Sequence, residues 1–166
     1  LPVDSSGGLS LSGLDSALSD LRRSRRRCLA VVATAGTTVR GAVDPLDAIA
    51  RICRREGVWL HVDAAIGGVF ALWEPLEHLM QGLQLADSIT VNPQKLLGIT
   101  KTSSMLLLKD RSHLRKAFAT GLPYMESPCG DDHGGEVGLQ GTRPAEVLKL
   151  WLGLRQLGIE GIGAVL

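Results

Sequence analysis

The stretch Asp87-Ser-Ile-Thr-Val-Asn-Pro-Gln-Lys-Leu-Leu-Gly98 places a lysine, Lys95, just after a short β-branched run and an Asn-Pro turn. β-Branched residues favour strands, and an Asn-Pro pair favours a turn. Upstream, the run Val58-Trp-Leu-His-Val-Asp63 also has strand character and ends in a carboxylate that two alanines follow. The two stretches predict an α/β unit in which an acidic residue and a lysine each follow a strand.

Strand-like and helix-like segments alternate along the whole chain. Cys28 to Thr34 is an apolar run of strand length, as expected of a buried parallel strand. Asp44-Pro45 predicts the start of a helix that Gly57 ends, with Asp44 as its cap. Further helices are predicted at Leu11 to Leu21, Glu74 to Gly82, Asp110 to Ala119 and Arg143 to Leu157, a strand at Ser103 to Lys109, and a long loop at Thr120 to Thr142. The alternation predicts an α/β fold, a mostly parallel sheet flanked by helices.

Composition narrows the functional classes. The 166 residues are 45% hydrophobic and 21% charged, which is a globular balance, and the formal net charge of +1 predicts no nucleic-acid partner. The basic cluster Arg22 to Arg27 is interpreted as a solvated helix end. No apolar run reaches about 18 residues, so no membrane span is expected.

The remaining composition signals concern cysteines and metals. Cys28, Cys53 and Cys129 are widely spaced and odd in number, which predicts a reducing, cytoplasmic setting. Asp131-Asp-His133 has no partners at metal-ligand spacing, so no metal site is predicted.

Polar side chains collect where the predicted strands end. In a parallel sheet, ligands bind outside the carboxyl ends of the strands. The residues concerned are Thr37, Thr38, His61, Asp63, Asn92, Gln94 and Lys95. A lysine can bond covalently to the aldehyde of pyridoxal 5′-phosphate (PLP), and a carboxylate can keep its pyridine nitrogen protonated. From the residues alone, Lys95 as a surface lysine, Asp63 as a turn cap and His61 as a structural histidine remain open alternatives.

Three motifs in this order resemble the group II PLP-dependent amino-acid decarboxylases, a family that includes glutamate, cysteine sulfinate and aromatic amino-acid decarboxylases. They are Val32 to Pro45, Trp59 to Ala65 and Ala86 to Gly98. The resemblance implies a fold-type-I large domain, PLP as cofactor, carboxy-lyase activity on an L-amino acid and a homodimer. It also implies that residues 1–166 are part of the PLP-binding large domain, without the N-terminal segment and the small C-terminal domain.

The resemblance assigns roles to single residues. It implies that Lys95 bonds to the cofactor, that Asp63 faces the pyridine nitrogen and that Ala65 lies under the ring. It places Thr38 and His61 near the cofactor or substrate, and it gives His61 a part in catalysis. Asn92 and Gln94 match positions near the phosphate. Gln94 departs from the family's usual His, and an altered phosphate affinity or pH dependence is expected because an amide does not titrate.

Two residues further along gain roles from the same resemblance. Tyr124 matches a catalytic-loop tyrosine that protonates Cα, and Arg143 matches an arginine that binds the substrate carboxylate. Each has an alternative, a loop aromatic and a surface arginine at a helix start.

The substrate is expected to be acidic, because Lys95-Leu-Leu-Gly98 is more similar to the branch that acts on glutamate, aspartate or cysteine sulfinate than to the aromatic branch. Rival interpretations are an aminotransferase or desulfurase of the same fold type, and a non-catalytic remnant of a decarboxylase. The isolated chain is expected to be inactive.

Overall fold

The computed structural model describes residues 1–101, 103–122, 134–142 and 144–166. Its helices and strands follow in the order α1 (Leu11–Arg23), β1 (Ala30–Thr34), α2 (Leu46–Glu56), β2 (Trp59–Asp63), α3 (Glu74–Glu77), β3 (Ser88–Val91), β4 (Met105–Leu108), α4 (Ser112–Phe118) and α5 (Glu146–Val165). Short 3₁₀ turns lie at Gly67–Leu72, His78–Met80, Leu83–Leu85 and Gly134–Glu136.

The strands form a four-stranded sheet in the order β1-β2-β3-β4. β1 pairs with β2 in parallel, with Thr34 opposite Asp63, and β2 pairs with β3 in parallel, with Asp63 opposite Thr90. The parallel pairing expected from the alternating segments is confirmed for these strands. It brings the carboxyl ends of β1, β2 and β3 to one edge of the sheet.

Helix α2 packs on one face of the sheet, and α1 packs against α2. Side chains along a strand alternate between faces, and Ala33, Leu60 and Val62 are at most 1% exposed. The buried stripes of the helices pack in the same core, with Leu14 and Leu18 from α1 and Ile49 from α2. Each such side chain contributes about 1.5–3 kcal/mol when fully buried. The opposite face carries His61 and Asp63 of β2 and the exposed Val32 of β1.

Helix α1 has a side-chain cap, whereas the N-cap residue of α2 makes no side-chain hydrogen bond. Ser10 accepts the Gly13 N–H through its hydroxyl at 3.2 Å. The prediction that Asp44 caps α2 is wrong, because Pro45 is the cap residue and makes no side-chain bond. The Asp44 carboxylate instead accepts the backbone N–H groups of Leu9 and Thr34, both at 2.6 Å. Asp44 thus ties the N-terminal segment to the end of β1.

Two predicted helices have different lengths in the structure. Glu74 to Gly82 is α-helical only to Glu77 and then continues as a 3₁₀ turn, a common way for an α-helix to end. Helix α5 continues to Val165 past the predicted end at Leu157, with a break at Gly158 where φ is 59° and ψ is −176°. The glycine allows a backbone angle that ends a regular helix, and the chain resumes helical structure after it.

The chain divides into two compact units, Leu1–Leu107 with Glu146–Leu166, and Leu108–Ala145. The first contains nearly all of the sheet. In the second, the Glu136 side chain is buried and accepts the Thr120 N–H at 2.8 Å and the Thr120 hydroxyl at 2.7 Å.

Cys28 and Cys53 are free thiols, whereas Cys129 lies outside the described residues. Burial raises the pKa of the Cys53 thiol to about 11, so it stays protonated at neutral pH. Across the described ranges, no helix combines the length and the hydropathy needed to cross a membrane.

A glycine contact fixes the turn that follows β2. The Gly67 N–H donates to the Ala35 carbonyl at 3.0 Å, and a Cβ at position 67 would lie 2.6 Å from that carbonyl oxygen. Because the obstacle is backbone, Gly67→Ala is expected to lower the free energy of unfolding by about 2 kcal/mol, as overpacking does. Urea unfolding would measure the loss.

Gly8→Ala is the matched control for this substitution. Gly8 is also buried, but a Cβ there would meet neighbours no closer than 3.4 Å, an ordinary contact. A Gly67→Ala protein as stable as the Gly8→Ala protein would contradict the close approach of the two turns.

Candidate active site

Asp63 is the last residue of β2 and points away from the buried core. Leu60 and Val62 face the core, so the alternation puts His61 and Asp63 on the opposite face. Asp63 is exposed, and its Oδ1 accepts the Ala65 N–H at 3.1 Å. This short turn orients the carboxylate, and among the described residues no ion pair involves Asp63.

His61 is held by hydroxyl groups of the neighbouring strand. Its Nδ1 lies 2.8 Å from the Ser88 Oγ, and its Nε2 lies 3.3 Å from the Thr90 Oγ1. The Trp59 indole N–H also donates to the Ser88 Oγ, at 2.9 Å. Both ring nitrogens of His61 therefore have partners, which fixes the ring. We call the face of the sheet that carries His61, Asp63, Ser88 and Thr90 the polar face.

Ser88 is the centre of this hydrogen-bonded group and is only 7% exposed. Ser88→Ala removes the hydroxyl that His61 and Trp59 share. We expect the free energy of unfolding to fall by about 1–2 kcal/mol, because the half-buried His61 ring and the Trp59 indole each lose a hydrogen bond. Ser19→Ala, at an exposed position of α1, is the control and should be neutral or slightly stabilising. Equal stability of the two variants would show that the Ser88 contacts contribute nothing.

Lys95 lies in a compact turn after β3. Its N–H donates to the Asn92 carbonyl at 2.9 Å, and its carbonyl accepts the Gly98 N–H at 3.2 Å. Pro93 and Leu97 are buried on either side, whereas Lys95 itself is exposed. The turn is anchored by its apolar residues and leaves the amine accessible for reaction.

Backbone hydrogen bonds join the turns that follow β1, β2 and β3. They run from Ala35 N–H to the Asp63 carbonyl (2.9 Å), from Ala64 N–H to the Thr90 carbonyl (3.0 Å) and from Asn92 N–H to the Ala65 carbonyl (3.3 Å). The segment with the carboxylate is therefore bonded directly to the segment that starts the lysine turn. The expected gathering of polar residues at one sheet edge is present for these segments.

Thr38 and Ala65 occupy different environments. Thr38 is exposed in the loop after β1, where the neighbouring Thr37 hydroxyl accepts the Ala42 N–H at 3.0 Å. Ala65 is 9% exposed, next to the Asp63 turn. That position 65 needs a small side chain stays a prediction.

Asn92 and Gln94 are half-buried, and their side-chain oxygens are occupied by protein. Asn92 Oδ1 accepts the Ser104 hydroxyl at 2.7 Å, and Gln94 Oε1 accepts the Ser103 N–H at 2.8 Å. Their amide NH₂ groups remain the donors that either side chain can offer to an anion.

The sequence interpretation missed Ser88, Thr90 and Ser103 as supporting residues. Ser88 and Thr90 alternate along β3, which is a sign of a polar face, but their partners depend on the register between strands. Ser103 gave no local signal, since its bond to Gln94 is a backbone contact across the turn.

Two predicted site residues, Tyr124 and Arg143, lie outside the described residues, as does Asp131-Asp-His133. Within the described ranges, no group of three or more His, Cys, Asp and Glu side chains is arranged to hold a metal ion.

The residues present fit PLP by the chemistry of their groups. An exposed amine on an anchored turn suits the aldehyde, and an exposed carboxylate suits a protonated pyridine nitrogen. The amides of Asn92 and Gln94 supply neutral donors for a phosphate. Ala65, two residues after Asp63, has a side chain of only one carbon.

Comparison with known proteins agrees with this chemistry. The family model described as the pyridoxal-dependent decarboxylase conserved domain matches residues 1–166. Cysteine sulfinic acid decarboxylase of Rattus norvegicus is 44% identical over 138 residues, which cover 80% of this chain and 28% of that protein. L-2,4-diaminobutyrate decarboxylase of Acinetobacter baumannii is 32% identical over 170 residues, covering 100% of this chain and 33% of that protein. The chain thus spans about a third of the length of these relatives.

Solved structures give the same result for the fold. The crystal structure of mouse CSAD in apo form has a TM-score of 0.88 and 37% identity, over 98% of this chain and 34% of that one. Oryza sativa TDC with PLP and tryptamine has a TM-score of 0.89 and 28% identity, over 96% of this chain and 33% of that one. The expected fold-type-I architecture is confirmed. From its sequence and its fold alike, the chain belongs to the pyridoxal-dependent decarboxylase family.

Proposed function

We propose that this protein is a PLP-dependent amino-acid decarboxylase in which Lys95 and Asp63 bind the cofactor. The observation that carries the proposal is the hydrogen-bonded contact between the Asp63–Ala65 turn and the Asn92–Lys95 turn at one sheet edge. Both functional groups are exposed there, although Leu60 and Val62 of β2 and Val91 at the end of β3 are buried. An accessible amine and an accessible carboxylate on rigid neighbouring turns are what this chemistry requires.

The cofactor, when bound, would supply the electron sink that stabilises charge as carbon dioxide departs. Asp63 would hold the proton on the pyridine nitrogen, and Ala65 would leave space for the ring. Thr38, Asn92 and Gln94 would donate hydrogen bonds to its polar groups. His61, fixed by Ser88 and Thr90, would present an oriented imidazole beside Asp63.

Two further residues complete the proposed chemistry. Tyr124 is proposed to return a proton to Cα, and Arg143 to bind the substrate carboxylate through its two-pronged guanidinium. Their assignment rests on the family resemblance, since both lie outside the described residues.

An acidic amino acid is the proposed substrate class. Relatives with such names include the acidic amino acid decarboxylase GADL1 of Mus musculus, 40% identical over 137 residues, and L-aspartate decarboxylase dtxS4 of Metarhizium robertsii, 35% identical over 164 residues. The matching diaminobutyrate decarboxylase has a substrate with a basic side chain, so that amino acid belongs in the assay.

We also infer that residues 1–166 form part of the PLP-binding large domain of a cytoplasmic homodimer. The 166-residue chain alone is expected to be inactive. On its polar face, Val32 is 58% exposed and Asp63 is also exposed. Water would be excluded from this face only if other parts of the larger protein covered it.

A product assay tests the proposal. The protein expressed from its complete reading frame, loaded with PLP, is offered glutamate, aspartate, cysteine sulfinate, 2,4-diaminobutyrate and tryptophan. We expect carbon dioxide and the corresponding amine in equal amounts, fastest with one of the three acidic substrates.

Other products would identify the rivals. A keto acid without carbon dioxide would identify an aminotransferase, and sulfur released from cysteine would identify a desulfurase. Loss of PLP binding together with no turnover would contradict an enzyme role and favour a non-catalytic remnant.

A further inference from the structure

We propose that Gln94 is a positioning residue whose side-chain carbonyl braces the turn that carries Lys95. The proposal rests on the proposed function in that Lys95 is taken as the reactive amine, but the brace is a property of the protein without cofactor. Gln94 Oε1 accepts the Ser103 N–H at 2.8 Å, across the segment that contains Lys95.

The chemistry of this bond fixes the orientation of the Gln94 amide. A backbone N–H can only donate, so the oxygen of the amide must face Ser103 and the NH₂ group must face the other way. Ser103 is 5% exposed, so water gives its N–H little alternative to the Gln94 oxygen. A buried donor left without a partner costs more than an ordinary hydrogen bond contributes.

The brace spans the connection between two neighbouring strands. The turn that contains Lys95 follows β3, and Ser103 and Ser104 come just before β4. Strand β4 lies beside β3 in the sheet. A second side-chain bond makes the same crossing, because Asn92 Oδ1 accepts the Ser104 hydroxyl at 2.7 Å. The amides of residues 92 and 94 thus join the outgoing and the returning segments on both sides of Pro93.

We therefore infer that Ser103 and Ser104 help to fix the position of the lysine turn relative to the sheet. Within the turn, backbone bonds such as Lys95 N–H to the Asn92 carbonyl keep its local shape. These bonds stay within the turn, whereas the Asn92 and Gln94 side chains bond it to Ser104 and Ser103, which precede β4. Loss of the Gln94 oxygen should leave the turn intact and loosen its placement.

A glutamine at this position gives a brace that does not depend on pH. A neutral imidazole nitrogen can accept a hydrogen bond, whereas an imidazolium has only donors. A histidine at position 94 could therefore hold the Ser103 N–H only above its pKa. The glutamine amide keeps its acceptor throughout the physiological range.

Hydrogen exchange of the Ser103 amide in the cofactor-free protein tests the brace. Gln94→Met keeps the length of the side chain but has no acceptor, and we expect Ser103 exchange to accelerate by roughly three- to tenfold, the effect of one lost hydrogen bond. Gln94→Glu keeps an acceptor oxygen and should retain the protection. Val62, in the core of β2, reports whether each variant is folded.

The pH profile separates positioning from general packing. In Gln94→His, Ser103 protection should be lost as pH falls through about 6.5, the ordinary imidazole pKa, while the wild-type profile stays flat once intrinsic exchange is corrected. The maximum rate of PLP attachment to Lys95 at saturating cofactor should also fall in Gln94→Met, by up to about tenfold.

Three outcomes would overturn the brace: unchanged Ser103 exchange in Gln94→Met, equal acceleration in Gln94→Glu, or a flat profile in Gln94→His. The proposed function fails separately. If borohydride reduction of the wild-type protein with PLP leaves Lys95 unlabelled, the reactive amine is wrong, whatever Ser103 exchange shows.

Discussion

Lys95→Ala is expected to eliminate covalent attachment of PLP and to lower the decarboxylation rate by at least about a thousandfold. The substitution removes the amine that we propose bonds the cofactor and moves protons next to it. Lys95 is exposed, and its turn is anchored by Pro93 and Leu97, so the fold should not change. The visible absorbance band of lysine-bound PLP and the rate of carbon dioxide release measure the two effects.

Lys101→Ala is the matched control. Lys101 is another exposed lysine of the same connection, and its carbonyl, which accepts from the Lys149 amine at 3.2 Å, is retained in alanine. Both the absorbance band and the rate should stay at wild-type values in this variant. A Lys95→Ala protein that keeps the band would place the reactive amine elsewhere.

Asp63→Asn is expected to reduce kcat by roughly a hundred- to a thousandfold, the range found when an electrostatic stabiliser is removed. Asparagine has nearly the same shape, and its side-chain oxygen can still accept the Ala65 N–H that Asp63 accepts at 3.1 Å. The turn is therefore preserved and only the negative charge is lost. Single-turnover kinetics with bound PLP measure the loss directly.

Stability distinguishes this effect from misfolding. Because Asp63 is exposed, Asp63→Asn should change the free energy of unfolding by no more than about 0.5 kcal/mol, as is usual for surface positions. Asp63→Glu keeps the charge on a longer side chain and should recover part of the rate. Wild-type kcat in Asp63→Asn would mean that the carboxylate does not face the cofactor nitrogen.

The sequence predicts those parts of the fold that depend on local patterns. The run Cys28 to Thr34 is apolar and is followed by turn residues, so the position of β1 and the parallel arrangement of the strands follow from the alternation of segments. The position of the candidate active site also follows from the parallel arrangement of the strands. Strand ends meet at one edge of a parallel sheet, so Asp63 and Lys95 are predicted to lie on adjacent turns, and their turns are hydrogen-bonded through Asn92 and Ala65.

Contacts between distant segments could not be predicted in this way. Asp44 has the sequence of a helix cap, yet its carboxylate binds the N–H groups of Leu9 and Thr34. These partners exist only once the N-terminal segment packs beside β1. The His61 partners, Ser88 and Thr90, depend equally on strand register, which no local pattern fixes.

Borohydride reduction with peptide mapping identifies the lysine that bonds to PLP. The protein from the complete reading frame is incubated with PLP, reduced, digested and analysed by mass spectrometry. We expect one modified peptide, with the cofactor mass on Lys95. Labelling of Lys101 or Lys109 in place of Lys95, or no label on any lysine, would contradict the account.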